Sequence, residues 1–270
     1  MTAGTGAAVR LCVGDAREVV AGMAAGSVDC VVTSPPYWGL RDYRVVGQYG
    51  VESTVDGYVA RLAGVFGELS RVLALGGTVW LNLGDCFGGS WGNYVAPGSV
   101  ARTAAVRAAT GYGVHRPPQS LFRRKDLVGV PWRVALSLQD RGWLVRNAVV
   151  WEKPNARPES VRDRLAQRYE SVFLLTRSPV HWFAAEGMTD LWRVPAGRSG
   201  TGHPAAGTLE IARRCVRLGC PPGGVVLDPF CGSGTTGIAA LEHGCSFVGV
   251  DLDPDCHDLA CRRLTGAVVS

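Results

Sequence analysis

The sequence predicts an α/β protein, a mainly parallel sheet with helices on both faces. Short β-branched runs alternate with amphipathic stretches of helical apolar spacing, as when strands and helices alternate along one sheet. At 270 residues, 47% hydrophobic and 19% charged, the chain is long enough to bury one large core. We therefore expect a single domain over residues 1–270, interrupted by an insertion at about 86–126.

The elements follow in order. Residues 28–33 (VDCVVT) read as a buried strand. A helix should start at Ser53-Thr54, because Tyr58, Leu62, Val65, Phe66, Leu69, Val72 and Leu73 share one face, and Gly76-Gly77 should end it. Residues 78–83 (TVWLNL) form the next strand. Pro131 at a first helical position, with Trp132, Ala135, Leu136 and Leu138 behind it and Gly142 after it, predicts another helix. Strands follow at 147–151 and 171–176, then a helix at 208–219, a strand at 225–228, a helix at 234–243, a strand at 247–251 and a last helix near 254–264. Two polar connections, 88–126 and 153–168, break the rhythm, and a connection as long as the first is usually functional or disordered.

Composition narrows the setting. No run of 18 apolar residues occurs, and the opening MTAGTGAAVRLCVGD lacks the basic and long apolar regions of a signal peptide, so a cytoplasmic, nucleoid-associated protein without a membrane partner is expected. Nine cysteines, an odd number without a C-x-x-C pair, read as reduced thiols, and no metal is expected. The net charge of +5 is modest, but basic residues cluster at Arg116, Arg123, Arg124 and Lys125, at Arg157, Arg162, Arg164 and Arg168, and at Arg213, Arg214 and Arg217. Such density permits a polyanionic partner.

Residues 225–236 (VVLDPFCGSGTT) place an acidic residue at a strand end, then a glycine-rich turn, then a helix. In a parallel sheet such a turn faces the ligand crevice, and Gly232 and Gly234 let the backbone approach a ligand closely. Gly232, Gly234 and Gly237 satisfy G-x-G-x-x-G, and Asp251 ends the next strand, where a carboxylate can accept from ribose hydroxyls. A dinucleotide and an adenosyl cofactor both suit this pattern. Asp228 shifts the balance, since a carboxylate there repels a pyrophosphate but attracts an ammonium group.

After the strand at 28–33 comes Ser34-Pro35-Pro36-Tyr37. Two prolines remove two backbone donors and stop the ladder, leaving carbonyls free to accept. An exocyclic amine of a base is a poor nucleophile because its lone pair is delocalised into the ring. If the Ser34 hydroxyl and the Pro35 carbonyl each accept one N–H bond, the nitrogen turns tetrahedral and its lone pair can be aimed at a methyl donor. Tyr37 would stack on the base, which must leave the duplex to be reached.

SPPY at 34–37 together with DPFCGSGTT at 228–236 resembles the N4-cytosine/N6-adenine DNA methyltransferases, and the order, catalytic motif first, is that of their circularly permuted β group. VGDAREVV around Asp15, TSPPYWGLRDY, GGTVWLNLGD, WEKPNARPESVRDR and HPA at 203–205 extend the resemblance over nearly the whole chain. It implies a Rossmann-like class I methyltransferase fold and S-adenosyl-L-methionine as cofactor. By the same resemblance Asp228, Phe230, Gly232, Ser233, Gly234 and Thr235 line the cofactor pocket, Asp251 holds the ribose, Asp15 lies near the adenine, and His203 and Ala205 close over the methionine part. Ser34, Pro35, Pro36 and Tyr37 are implied to be catalytic. Serine at the head of the tetrapeptide favours cytosine N4, aspartate adenine N6.

The resemblance also implies double-stranded DNA as substrate, with base flipping, and a companion restriction endonuclease; it leaves the oligomeric state open. The recognition insertion is short here, so either residues 88–126 serve or the recognition site is itself short; Trp91, Tyr94 and Tyr112 are available for stacking and Arg116, Arg123, Arg124 and Lys125 for phosphates, joined by Arg157, Arg162 and Arg164. Other readings fare worse. A C5-cytosine enzyme needs a Pro-Cys nucleophile, and Cys220-Pro221 has the reverse order. A nicotinamide oxidoreductase leaves SPPY unexplained. An RNA or protein methyltransferase stays open, because the tetrapeptide reports the amine and not the polymer. A non-catalytic DNA-binding relative would not keep both polar motifs intact.

Overall fold

The computed structural model describes residues 7–88, 122–123, 125–156, 158–159, 161–184, 187–197 and 208–268. The chain opens with β1 (Val9–Val13) and α1 (Ala16–Ala21), an edge pair that sequence pattern did not reveal. β2 (Val28–Thr33) alternates its side chains between two covered faces: Val31 joins one core, Cys30 and Val32 the other. It is buried on both sides, as a strand inside a parallel sheet must be.

Helix α2 (Val55–Val72) is capped by Thr54, whose hydroxyl accepts from Gly57 N at 3.0 Å. Its buried face carries Tyr58, Leu62, Val65, Phe66, Leu69 and Val72, the predicted stripe. The expected glycine stop is corrected. Leu73 already leaves helical geometry at ψ 132°, and β3 (Leu73–Leu83) begins there. Gly76-Gly77 instead lies inside β3, where the pairing slips between Val28/Leu73 and Cys30/Thr78. A Cβ on Gly77 would lie 2.8 Å from the Leu73 side chain, so glycine permits the slip.

Helix α3 (Val130–Asp140) and strands β4 (Leu144–Glu152) and β5 (Tyr169–Thr176) follow, then a short edge strand, β6 (Leu191–Arg193), which was not anticipated. The C-terminal run is α4 (Leu209–Gly219), β7 (Val225–Asp228), α5 (Thr235–Glu242), β8 (Ser246–Asp251) and α6 (Pro254–Val268).

The described strands form one sheet in the order β1-β8-β7-β2-β3-β5-β4-β6. β5 runs antiparallel to both its neighbours, β3 and β4; every other pair is parallel. α1, α2 and α3 cover one face and α4, α5 and α6 the other, each with its own apolar cluster. From β2 the chain proceeds outward to β3, and from β7 it proceeds the opposite way to β8. Strand order therefore reverses between β7 and β2, and in open α/β sheets ligands bind at such a point, beyond the carboxyl ends of the strands. The two motifs, far apart in sequence, follow these two adjacent strands. Among the described residues no helix is long and apolar enough to cross a membrane.

Gly237 lets α5 approach β8. A Cβ there would stand 2.7 Å from the Phe247 ring and 2.8 Å from Leu264. Gly237→Val should lower the unfolding free energy by about 1–3 kcal/mol through overpacking, read from denaturant melts without cofactor; an unchanged midpoint would mean that α5 has room to move away.

Candidate active site

Beyond the carboxyl ends of β2, β3, β7 and β8 lies a cleft of about 1060 Å³. That volume accommodates a nucleoside-sized cofactor together with a base. Ser34, Pro35, Pro36 and Tyr37 line one side, and Asp228, Phe230, Gly232, Ser233, Thr235 and Asp251 line the other. The structure thus brings the two predicted motifs into one cavity.

On the β7 side Asp228 is buried and fully engaged. Its Oδ1 accepts from Thr33 Oγ1 at 2.8 Å and Phe230 N at 3.1 Å, and its Oδ2 accepts from Thr236 Oγ1 at 2.7 Å. Burial pushes its pKa up to about 6, the three hydrogen bonds pull against this, and the charge of nearby Asp251 adds to it. Neither Thr33 nor Thr236 was among the expected site residues, although both sit within the quoted motifs. Gly232 and Gly234 hold φ of 50° and 77°, the left-handed region that glycine enters without cost. Asp251 accepts from Gly232 N at 2.7 Å and Asp253 N at 2.9 Å, which fixes the turn against the end of β8. Burial raises its pKa as well.

Arg263 reaches from α6 to bond the Ser233 carbonyl, Ser233 Oγ at 2.8 Å and Thr235 Oγ1 at 3.3 Å, so the glycine-rich turn is braced from behind. Phe230 meets Tyr49 edge to face at 5.1 Å, and the Arg61 guanidinium lies 3.8 Å over the Tyr49 ring. Phe230 was among the expected pocket residues, whereas Tyr49 and Arg61 were not foreseen. Asp15 takes another position than the cleft lining: it caps α1 by accepting from Arg17 N and Glu18 N, with Arg61 at 3.9 Å, while its neighbour Ala16 lines the cavity.

The donor set decides what can bind here. Two carboxylates face a glycine turn beside an aromatic wall, an arrangement that repels phosphates and suits a cationic adenosyl cofactor. S-adenosylmethionine, with its sulfonium and ammonium charges, fits these residues; a pyrophosphate does not.

On the β2 side the tetrapeptide is tied down at several atoms. Tyr58 Oη donates to the Pro36 carbonyl at 2.9 Å, while the Pro35 carbonyl accepts no hydrogen bond among the described residues. Tyr37 Oη donates to Glu170 Oε2 at 2.7 Å, lies 3.1 Å from Ser34 Oγ, and receives Asn82 Nδ2 at 3.0 Å. The same Asn82 nitrogen donates to Glu170 at 3.0 Å, and Lys153 pairs with the other Glu170 oxygen while lying 4.3 Å over the Trp151 ring. Burial first, and the Glu170 charge second, hold the Tyr37 phenol well above its ordinary pKa. A Cβ on Gly84 would stand 2.7 Å from the Tyr37 ring, so that glycine makes the ring's seat. Glu170, Asn82 and Lys153 were missed from sequence; WEK and NLG contain two of them, but nothing in the sequence joins them to Glu170.

The basic residues divide. Arg123 and Arg162 are exposed. Lys125 pairs with Asp163, and Arg164 pairs with Glu159 at 2.7 Å and lies 3.6 Å over the Phe87 ring, so the two polar connections touch each other. Arg213 and Arg214 are engaged with Glu242 and Glu210, in and beside α4. Arg116, Arg124, Arg157, His203 and Ala205, with Trp91, Tyr94 and Tyr112, lie outside the described residues.

Comparison with known proteins agrees with this geometry. The model of the N6/N4 methyltransferase family, described as DNA methylase, matches residues 28–262. Type II methyltransferase M.Cfr9I of Citrobacter freundii is 40% identical over 267 residues, covering 94% of this chain and 86% of its own. Type II methyltransferase M.SmaI of Serratia marcescens is 38% identical over 270 residues, covering 94% and 90%. Among solved structures, TTHA0409 of Thermus thermophilus, a putative DNA modification methylase complexed with S-adenosyl-L-methionine, superposes with a TM-score of 0.68 at 26% identity over 96% of this chain and 94% of that one. The PvuII DNA methyltransferase, cytosine-N4-specific, shares the fold at a TM-score of 0.70 and 16% identity, covering 99% and 95%.

Asp228 yields a prediction about pH. A carboxyl whose folded pKa lies above its unfolded value binds more protons when folded, so its contribution to stability falls as pH rises from about 4 through 6. Asp228→Asn should remove that slope: relative to wild type, the cofactor-free variant should gain roughly 2–3 kcal/mol of stability between pH 4 and pH 8. Denaturant melts at the two pH values check this, and a pH-independent difference would place the ionisation elsewhere.

Proposed function

The chain belongs to the N6/N4 DNA methylase family, and from that premise we propose that it methylates N4 of a cytosine flipped out of double-stranded DNA. It is a site-specific DNA methyltransferase of the Type II kind that uses S-adenosylmethionine. The observation that carries the amine chemistry is the pair of acceptors at the head of the tetrapeptide, Ser34 Oγ and the Pro35 carbonyl, with Pro36 already occupied by Tyr58. Two N–H bonds from one amine can be accepted there, which draws the nitrogen out of conjugation and aims its lone pair across the cleft. Serine in that position, where adenine enzymes tend to carry aspartate, favours cytosine over adenine.

The cofactor, when bound, supplies an electrophilic methyl group on a sulfonium. Asp228 with Phe230, Gly232, Ser233, Gly234 and Thr235 would hold its methionine and adenosyl parts, Asp251 would accept from its ribose, and Asp15 would support the adenine wall from behind Tyr49. His203 and Ala205 would close over it. Tyr37 would flank the base, and the dense basic residues, exposed Arg123 and Arg162 together with Arg116, Arg124, Lys125, Arg157 and Arg164, would meet phosphates around it. The insertion at 86–126 would read the recognition sequence, and a companion restriction endonuclease would cut the unmodified site. We place the protein in the cytoplasm, where its DNA is.

Nucleoside mass spectrometry of plasmid DNA incubated with the protein and methyl-labelled cofactor should find N4-methylcytosine. N6-methyladenine would reverse the choice of base, and no label in DNA would sink the reading. Ser34→Ala should lower the single-turnover rate by about 10- to 100-fold, the loss of one transition-state hydrogen bond of roughly 1.4–3 kcal/mol, with cofactor affinity unchanged; wild-type turnover would remove Ser34 from the chemistry.

A further inference from the structure

The network behind the tetrapeptide has a direction. Glu170 is a carboxylate paired with Lys153, so at Oε2 it only accepts. Tyr37 has one proton, and at 2.7 Å it gives that proton to Glu170. The Asn82 amide must turn its nitrogen toward this pair, because its oxygen would face a carboxylate oxygen; it donates to both Tyr37 and Glu170. With the Tyr37 proton spent, the 3.1 Å contact between Ser34 Oγ and Tyr37 Oη can be made in one sense only, Ser34 donating.

We propose that Glu170 is the positioning residue and proton sink of the methyl-transfer site, acting through Tyr37 on Ser34. The proposal rests on the amine chemistry inferred above and deepens it. Because the Ser34 proton is held by Tyr37, the lone pairs of Ser34 Oγ are left for the base, and the hydroxyl is locked as the acceptor that an amine requires. The same chain carries the proton away. As the N–CH3 bond forms and the S–CH3 bond breaks with its electron pair moving to sulfur, one N–H bond of the amine is released. That proton passes to Ser34 Oγ, the Ser34 proton to Tyr37 Oη, and the Tyr37 proton to Glu170 Oε2. The methylated base leaves neutral, both hydroxyls are restored, and Glu170 holds the proton until it exchanges with water. The high proton affinity of the Tyr37 phenol keeps it in the protonated form that such a relay needs.

Glu170→Gln reverses the polarity. Its single oxygen is claimed by Lys153, its amide then donates to Tyr37, and the Tyr37 proton turns to Ser34, whose own proton now faces the amine. In single turnover with saturating cofactor and duplex, E170Q should be ten- to a hundred-fold slower, with dissociation constants for cofactor and DNA within twofold of wild type. Tyr37→Phe breaks the chain one link later and should cost a similar factor. Acting in one chain, the two losses should not multiply: the double variant should be no more than about threefold slower than the slower single. A double variant slowed by the product of the two factors, an E170Q enzyme at wild-type rate, or a loss explained wholly by weaker binding would overturn the relay. A wild-type enzyme that labels no base amine would instead overturn the underlying reading, so the two failures are told apart.

Discussion

The hydrogen bond from Thr33 to Asp228 is the constraint on which the site depends. β2 and β7 pair through Cys30/Val226 and Val31/Leu227, and the ladder stops there. Beyond that point the side chains of Thr33 and Asp228 join the two strand ends at 2.8 Å. Through its other contacts Asp228 also holds the start of the glycine-rich turn at Phe230 N and the first turn of α5 at Thr236. One buried carboxylate thus sets the distance between the tetrapeptide and the turn that faces it.

That arrangement has a cost. A carboxylate removed from water keeps its charge only against a desolvation penalty, which three donors offset in part. Its raised pKa is the measure of what remains. A cationic ligand in the cleft would lower that residual energy, whereas an anionic one would raise it. The burial that penalises this charge therefore also selects the charge of the cofactor.

The two motifs were legible because each is short, local and tied to a strand end, and their juxtaposition followed from a parallel sheet with a reversal in strand order. Helices with a clear apolar face, α2 above all, were legible for the same reason. β1 and β6 were not: VRLCV is a five-residue run with one polar residue, too short to separate strand from helix by period, and LWR is three residues paired at an edge. The end of α2 was misplaced because Gly76-Gly77 looks like a helix stop, while Leu73 leaves the helix earlier to pair with Val28. Glu170, Asn82 and Lys153 could not be joined to Tyr37 from sequence. They arrive on separate strands or beside them, Glu170 being 133 residues from Tyr37, and only the antiparallel placement of β5 between β3 and β4 brings the carboxylate to the tyrosine.

In the proposed geometry one amine, held by Ser34 Oγ and the Pro35 carbonyl, faces a methyl donor seated on the Asp228 turn. A crystal structure of the protein with a non-reactive cofactor analogue and a duplex containing its site would test this directly. The expected result is a cytosine outside the stack, its amino nitrogen within about 3 Å of both acceptors and the donor atom of the analogue on the opposite side. A base bound elsewhere in the cleft, or its amine turned away from Ser34, would contradict it.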